Sequence, residues 1–210
     1  MDKGIFITFE GVDGSGKSTV SKIICDSLKE EGYDVVYTRE PGGVDISEKI
    51  RDIILDVNNQ TMDAKTEALL YAASRRQHLV DKIIPAIKKG SIVICDRFVH
   101  SSLVYQGVAR KIGVDEVMSI NKFAIEGFMP TKTLFFDLDE KEGLKRISNR
   151  VNKDRLDLEN TSFHKLVKQG YQVIKDQYKD NMIIIDASKS LEEVIKVTLD
   201  EVKKIIHENR

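Results

Sequence analysis

The stretch Glu10-Gly11-Val12-Asp13-Gly14-Ser15-Gly16-Lys17-Ser18-Thr19 decides the fold of this chain. Its glycines let the backbone turn tightly with N–H groups pointing inward, and the N-terminus of a following helix would continue this anion cradle. The spacing G-x-x-x-x-G-K-[ST] lets Lys17 reach the β- and γ-phosphates of a nucleotide and gives Ser18 a hydroxyl for Mg²⁺. The stretch therefore predicts a nucleoside-triphosphate site.

The residues on either side of this loop support that interpretation over a glycine-rich turn without a ligand. Residues 5–9 read Ile-Phe-Ile-Thr-Phe, which is typical of a buried β-strand. After the loop, Val20, Ile24 and Leu28 recur at helical spacing. Strand, loop and helix in this order are the context that the phosphate-binding motif requires.

Length and composition place limits on the protein class. The 210 residues are 41% hydrophobic and 32% charged, which predicts one domain over residues 1–210 with a full core. A net charge of −1 gives no reason to expect nucleic acid or an anionic membrane as a partner. Cys25 and Cys95 lack metal-ligand spacing and are expected to be reduced and buried. Since no leader or membrane-spanning run is present, we expect a cytoplasmic protein.

Four further apolar runs, at 34–38, 91–96, 133–138 and 182–186, are separated by long helical patterns. One of these patterns spans 64–89, with Pro85 as a kink. The alternation predicts an α/β fold of the P-loop NTPase type, a three-layer sandwich with a five-stranded parallel sheet flanked by helices. Ligands of such sheets lie at the carboxyl ends of the strands. We therefore expect convergence there of the phosphate loop with Arg39-Glu40, Asp96-Arg97 and Asp186-Ala187-Ser188.

A basic run interrupts the pattern between residues 145 and 157. A solvated helix end is one interpretation of such a run. In a phosphate-loop protein it also suits a mobile lid that closes over the triphosphate and excludes water. We interpret it as a short basic lid, whose charged members are Lys145, Arg146, Arg150, Lys153 and Arg155.

Other phosphate-loop classes fit less well. A switch GTPase needs an Asn-Lys-x-Asp base reader, but Asn121-Lys122-Phe123-Ala124 lacks the carboxylate. Asp96-Arg97-Phe98-Val99 stands where an Asp-x-x-Gly switch would follow the third strand. Small size and a lid favour a kinase for a small acceptor over a nucleotide-dependent binding or switch protein, which stays the alternative.

Four separated motifs follow one another along the chain. They are residues 9–19, Thr38-Arg39-Glu40-Pro41-Gly42-Gly43, Leu70-Tyr71-Ala72-Ala73-Ser74-Arg75 and the run from Asp96-Arg97-Phe98 to Tyr105-Gln106-Gly107, with Gly143-Leu144-Lys145-Arg146 leading into the lid. In this order they resemble the motifs of the bacterial thymidylate kinase family, and the resemblance covers essentially the whole chain. It implies transfer of the ATP γ-phosphoryl group to dTMP, giving dTDP and ADP for dTTP synthesis, with Mg²⁺ as cofactor and a homodimer as the assembly. A kinase for another nucleotide or nucleoside is the alternative.

For the ATP side, the resemblance implies that Ser18 and Asp96 hold Mg²⁺ and that Arg146 stacks on adenine. Some relatives carry an arginine within the phosphate loop, where this chain has Gly14. The lid would then supply the positive charge for the transition state through Arg150 and Arg155. The remaining ATP-binding residues would be Gly11, Val12, Asp13, Gly14, Ser15, Gly16, Lys17 and Thr19.

For the acceptor side, the resemblance implies that Arg39 and Arg97 grip the acceptor phosphate, a bidentate role that suits guanidinium groups. An ion pair with Asp96 is the structural alternative for Arg97. Tyr71 would stack on thymine, where the family often has Phe, although an aromatic at this spacing is more often core. The other implied contacts are Arg75, Ser102 and Gln106 on the base, Tyr105 on the sugar, Asp13 and Glu40 near sugar and phosphate, and more weakly Arg51.

Two further expectations come from the same motifs. Pro41 is expected to follow a cis peptide bond, as in relatives. His100 occupies a position where the family often has an acid, and its role stays open.

Overall fold

The computed structural model describes residues 4–148 and 154–210, in which strands and helices alternate. The strands are β1 (Ile5–Gly11), β2 (Val35–Arg39), β3 (Ile92–Asp96), β4 (Lys132–Asp137) and β5 (Met182–Asp186). The helices are α1 (Lys17–Glu30), α2 (Asp45–Leu55), α3 (Ala64–His78), α4 (Ile84–Lys88), α5 (Val99–Ser102), α6 (Val114–Ile125), α7 (Glu140–Ser148), α8 (Thr161–Gln177) and α9 (Leu191–Asn209). Shorter segments are π-helical at Leu79–Ile83 and Leu103–Ala109 and 3₁₀-helical at Lys179–Asn181.

The five strands form one parallel sheet in the order β2-β3-β1-β4-β5. Every residue of β1 and β3 is buried, because helices cover both faces of the sheet. Aromatic contacts join the central strands to their surroundings, with the rings of Phe9 and Phe136 5.2 Å apart and those of Phe6 and Phe98 5.1 Å apart. The predicted α/β sandwich of the P-loop NTPase type is confirmed.

The predicted bounds differ from the observed ones mainly between residues 64 and 89. In place of one kinked helix, the structure has α3, a π-helical turn at Leu79–Ile83 and α4. Pro85 has no N–H, and its ring would collide with the carbonyl of Asp81 four residues earlier in a regular helix. The wider turn lies where that collision would occur.

Among the described residues, no helix is both long and apolar enough to cross a membrane.

The phosphate loop packs backbone to backbone against α7, the helix that leads into the lid. Gly14 has a φ of 78°, and a Cβ on it would lie 2.2 Å from the carbonyl oxygen of Gly143. Conversely, a Cβ on Gly143 would lie 2.4 Å from the carbonyl oxygen of Asp13. A side chain at position 14 would therefore push the base of the lid away from the loop.

His100 is buried beneath the sheet on α5. Its Nδ1 is 3.5 Å from Thr133 Oγ1, its ring meets the edge of Tyr178, and its Nε2 has no hydrogen-bond partner among the described residues. Burial, with a smaller effect from the charge of Arg75, lowers the pKa of His100 from 6.5 to about 4. The imidazole is therefore neutral in the native protein at pH 7 and stays neutral at pH 5.

This burial predicts an acid-dependent loss of stability. Between pH 7 and pH 5 the unfolded chain takes up a proton at His100 and the native protein does not, so the free energy of unfolding falls by about 2 kcal/mol. Urea denaturation at both pH values measures the loss. In His100→Gln, whose amide does not titrate, the loss should be smaller by about this amount. Equal losses in the two proteins would contradict the assignment.

Candidate active site

One cleft lies at the carboxyl ends of β1, β2 and β3 and brings together most of the residues predicted from the sequence. Gly11, Val12, Ser15 and Arg155 are not part of its lining, and among the described lining residues none comes from β5. Asp186 and Ser188 therefore do not converge on the cleft as expected, because β5 is the edge strand beyond β4. The predicted residues that line the cleft are Asp13, Gly14, Gly16, Lys17, Ser18, Thr19, Arg39, Glu40, Arg51, Tyr71, Arg75, Asp96, Arg97, Ser102, Tyr105, Gln106 and Arg146.

Lys17 lies at the centre of the phosphate loop with only 5% of its surface exposed. Its ammonium group donates to the carbonyl oxygen of Val12 at 3.2 Å. Burial lowers the pKa of Lys17 from 10.5 to about 8, and the nearby charge of Arg97 acts in the same direction. The loop thus holds a desolvated cation, which an anionic ligand would stabilise.

Ser18 and Asp96, the residues predicted to hold a cation, are in direct contact. The Ser18 hydroxyl donates a short hydrogen bond to Asp96 Oδ2. The other carboxylate oxygen, Asp96 Oδ1, is buried and has no partner among the described residues. Hydroxyl and carboxylate oxygens are ligands that Mg²⁺ accepts, and Mg²⁺ usually takes only one or two protein ligands together with phosphates and water. These residues fit that ion.

Arg97 crosses the cleft beside the phosphate loop. Its backbone has a φ of 71°, which is rare for a residue other than glycine and directs the side chain into the cleft. Its guanidinium donates to Asp13 Oδ1 at 2.6 Å, to the carbonyl oxygen of Gly11 at 3.1 Å and to the hydroxyl of Tyr171 at 3.0 Å. The ion pair is therefore made with Asp13, 84 residues away in sequence, and not with the neighbouring Asp96.

Glu10 fixes the backbone that carries Arg97. Sequence reasoning did not assign this role to Glu10. Its buried carboxylate accepts from the backbone N–H groups of Phe98 and Ser101, at 2.8 and 3.1 Å. Burial raises the pKa of Glu10, although the charge of Arg97 opposes it. A charged residue inside a buried strand was the available signal, because such a group needs several donors.

Asp13 connects the phosphate loop to Tyr105 and Arg97. Its Oδ2 accepts from the hydroxyl of Tyr105 at 2.6 Å, and the guanidinium of Arg97 lies 5.2 Å from the centre of the Tyr105 ring. Burial acts to raise the pKa of Asp13, but the charges of Arg97 and Lys17 outweigh it and hold that pKa well below its usual range. Asp13 is therefore an acceptor only.

Two arginines at the mouth of the cleft surround the carbonyl of Pro41. Arg39 donates to that oxygen at 2.6 Å and Arg51 at 2.9 Å. Arg39 also pairs with Glu48 at 3.0 Å. The Glu40–Pro41 peptide is cis, which confirms the prediction for this turn.

The inner end of the cleft is built around Arg75, which is 2% exposed. Its Nε donates to Glu40 at 2.7 Å, its Nη1 and Nη2 to Ser102 at 3.2 Å, and its Nη1 also to Asn121. Nothing in the sequence indicated Asn121 here, because it occurs only in a run that lacks the Asp of a GTPase base-reading motif. His78, also unexpected, lies 3.1 Å from the other oxygen of Glu40.

The lid segment is described in part. Arg146 on α7 lines the cleft and donates to Glu142 at 3.3 Å. Arg150 and Lys153 lie outside the described residues. Arg155 is 4% exposed and does not line the cleft, in contrast to its expected role in the transition state. Its Nη2 is 2.5 Å from Glu67 Oε2, and its Nε donates to the carbonyl oxygen of Ile54.

A phosphate loop that shares its cleft with an arginine-lined site for a second anion defines a phosphate-loop kinase of small acceptors. The family model described as Thymidylate kinase matches residues 9–197 of the chain. The chain belongs to the thymidylate kinase family.

Individual relatives match over nearly their whole length. A curated protein named "Thymidylate kinase" from Geobacillus sp. (strain WCH70) is 55% identical over 94% of this chain and 95% of its own. A protein of the same name from Clostridium novyi (strain NT) is 54% identical over 93% and 97%. The crystal structure of thymidylate kinase from Ehrlichia chaffeensis matches with a TM-score of 0.77 and 30% identity, over 96% of this chain and 99% of that one.

Proposed function

We propose that this chain transfers the γ-phosphoryl group of ATP to dTMP, giving dTDP and ADP. The observation that carries the proposal is the single cleft in which Lys17 of the phosphate loop and the arginines Arg39 and Arg97 face one shared space. Family membership and the names of relatives at 47–55% identity support it. A kinase for another nucleotide and a nucleotide-dependent switch protein are not favoured.

The reaction needs no protein base to activate the acceptor. A phosphate monoester has its second pKa near about 6, so the dTMP phosphate is mostly dianionic at neutral pH. The protein instead holds two anions in line and neutralises their charge. Lys17 binds the donor phosphates, while Arg97 and Arg39 bind the acceptor phosphate, and Arg51 lies beside Arg39 at the Pro41 carbonyl.

Ser18 and Asp96 are the residues we propose for Mg²⁺. The cation supplies charge neutralisation on the β- and γ-phosphates when it is bound with ATP. The unpartnered Asp96 Oδ1 supports this assignment, because a buried carboxylate oxygen without a donor is stabilised by a cation. Ser18 orients that carboxylate through its hydroxyl.

The nucleoside of the acceptor would occupy the inner end of the cleft. Tyr71 lines the cleft, and its aromatic ring is suited to stacking on a base. We propose Arg75, Ser102 and Gln106 for the polar edge of the base and Tyr105 with Asp13 for the sugar. Arg146 remains our proposal for adenine, and Arg150 for the transition-state charge.

We also propose that the protein forms a homodimer through α3 and α6. Phe123 on α6 is 89% exposed, and Leu69 and Val80 place further exposed apolar side chains along α3 and the turn after it. These helices are neighbours, since Arg76 on α3 pairs with Glu126 at the end of α6. Exposed apolar side chains on adjacent helices favour a protein partner. Sedimentation should give the mass of two chains, and a single-chain mass would contradict the proposal.

A cytoplasmic location stays a prediction. Cys25 and Cys95 are both buried and free. Unpaired buried thiols are typical of proteins in reducing compartments.

The proposed reaction can be tested by following the products directly. ATP, Mg²⁺ and dTMP are incubated with the protein, and reversed-phase chromatography separates ADP from dTDP by their different bases. We expect the two products in equal amounts. ADP without dTDP would show hydrolysis in place of transfer, and absence of both would overturn the proposal.

A further inference from the structure

Glu67, in the first turn of α3, joins three separated parts of the chain through one carboxylate. Its side chain is fully buried. Oε1 accepts from Gln106 Nε2 at 2.9 Å, and Oε2 accepts from Arg110 Nη2 at 3.0 Å and from Arg155 Nη2 at 2.5 Å. Burial acts to raise the pKa of Glu67, but hydrogen bonds from Arg110 and Gln106 outweigh it and lower that pKa. The carboxylate is therefore ionised.

An ionised carboxylate determines how the Gln106 amide is oriented. It has no proton to donate, so only the NH₂ group of Gln106 can face it. The remaining acceptor of this side chain is the carbonyl oxygen Oε1, and Gln106 lines the cleft. An acceptor here suits the N3–H of a thymine ring. Cytosine carries a lone pair at the same ring position and would face this oxygen unfavourably.

The same carboxylate also holds Arg155. The backbone N–H of Arg155 donates to the carbonyl oxygen of Leu55 at 3.0 Å. Its Nε donates to the carbonyl oxygen of Ile54 at 2.8 Å. Together with the pair to Glu67, these bonds tie Arg155 to the end of α2 and the start of α3.

We propose that Glu67 is a positioning residue for base selection, which orients the Gln106 amide and is itself held in place by Arg155. The proposal rests on the proposed function, since it concerns the same acceptor. Arg155 is 4% exposed and does not line the cleft. Arg155 accordingly acts through Glu67 and not on the transferred phosphoryl group.

The first test compares two isosteric substitutions, Glu67→Gln and Glu159→Gln. Glu159 pairs with Arg110 at 2.6 Å, as Glu67 does, but is not bonded to Gln106 or Arg155, which makes it the matched control. The measured quantity is the ratio of kcat/KM for dTMP to that for dCMP. We expect this ratio to fall at least about tenfold in Glu67→Gln, because its amide no longer dictates the orientation of Gln106. It should stay within about twofold of wild type in Glu159→Gln.

An unchanged ratio in a folded Glu67→Gln protein would overturn the inference and leave the proposed function standing. A wild-type protein that does not phosphorylate dTMP would overturn the proposed function itself. Thermal melting checks folding. If Glu67→Gln does not fold, Glu67→Asp replaces it, because this variant keeps the buried charge but withdraws it from Gln106 by one methylene group. A fall in the dTMP/dCMP ratio then supports the inference, and an unchanged ratio overturns it.

The second test measures the coupling between Glu67 and Arg155 with Arg155→Gln and the double variant. If Arg155 acts through Glu67, the double variant should lose no more kcat/KM for dTMP than the worse single variant. Losses that multiply would show that the two residues act independently. A fall in kcat for Arg155→Gln with the dTMP KM and the dTMP/dCMP ratio unchanged would return Arg155 to the transition-state role.

Discussion

Arg97→Ala is expected to lower kcat/KM for dTMP by about 10³-fold or more, the range in which an arginine facing a transferred phosphoryl group falls. The guanidinium is held by Asp13, Gly11 and Tyr171. The acceptor phosphate therefore meets a side chain that is already oriented and desolvated. Arg97→Lys should recover little of the loss, because an ammonium group does not reproduce the bidentate fork.

Steady-state kinetics of both variants, together with thermal melting, separate this loss from a folding defect. Arg97 is also a structural residue, since its removal takes the ion-pair partner of Asp13 away and leaves that carboxylate to Tyr105 and the nearby charge of Lys17. We expect Arg97→Ala to melt at a lower temperature yet remain folded at 25 °C. Turnover near the wild-type level in either variant would contradict the assignment of Arg97 to the acceptor phosphate.

Lys17→Met is expected to abolish most turnover without destabilising the protein. The side chain is buried in the phosphate loop, and burial lowers its pKa to about 8, so in protein assayed without nucleotide its charge opposes folding. Methionine fills a similar volume without that charge. The melting temperature should therefore equal or exceed that of wild type, whereas kcat falls by about 10³-fold.

The measurement is the rise in melting temperature that ATP produces, compared between the wild type and Lys17→Met. ATP should raise the melting temperature of the wild type, since a ligand that binds only the native state stabilises it. The rise should be smaller in Lys17→Met. A variant that keeps turnover, or that loses it only because it unfolds, would contradict the proposed role of Lys17.

The strands and the phosphate loop could be predicted because local signals specify them. The strand predicted at residues 182–186 has the bounds that the structure shows. The phosphate-loop residues were predicted from the spacing of glycine, lysine and serine alone. Side chains that meet across the fold were harder to assign. The partner of Arg97 is Asp13 and not the adjacent Asp96, because the positive φ at position 97 turns the side chain across the cleft.

The buried polar groups beneath the cleft were largely missed. Glu67, Tyr71 and Arg75 follow one another at intervals of four residues, so they share a helix face, and this was the available signal for Glu67. Its three donors come from positions 106, 110 and 155, which a single sequence does not bring together. Arg155 was assigned to the transition state for the same reason. The sequence shows its basic neighbours but not its buried partner, Glu67.

The most direct test of the account is the rate of ADP release from ATP and Mg²⁺ with different acceptors. The assay is run in parallel with dTMP, dUMP, dCMP, CMP, AMP and free thymidine. The account predicts a strong preference for dTMP and almost no rate with thymidine, which lacks the phosphate that Arg39 and Arg97 would bind. A preference for another monophosphate would contradict the base-pocket assignments, and ADP release with thymidine alone would contradict the proposed acceptor site.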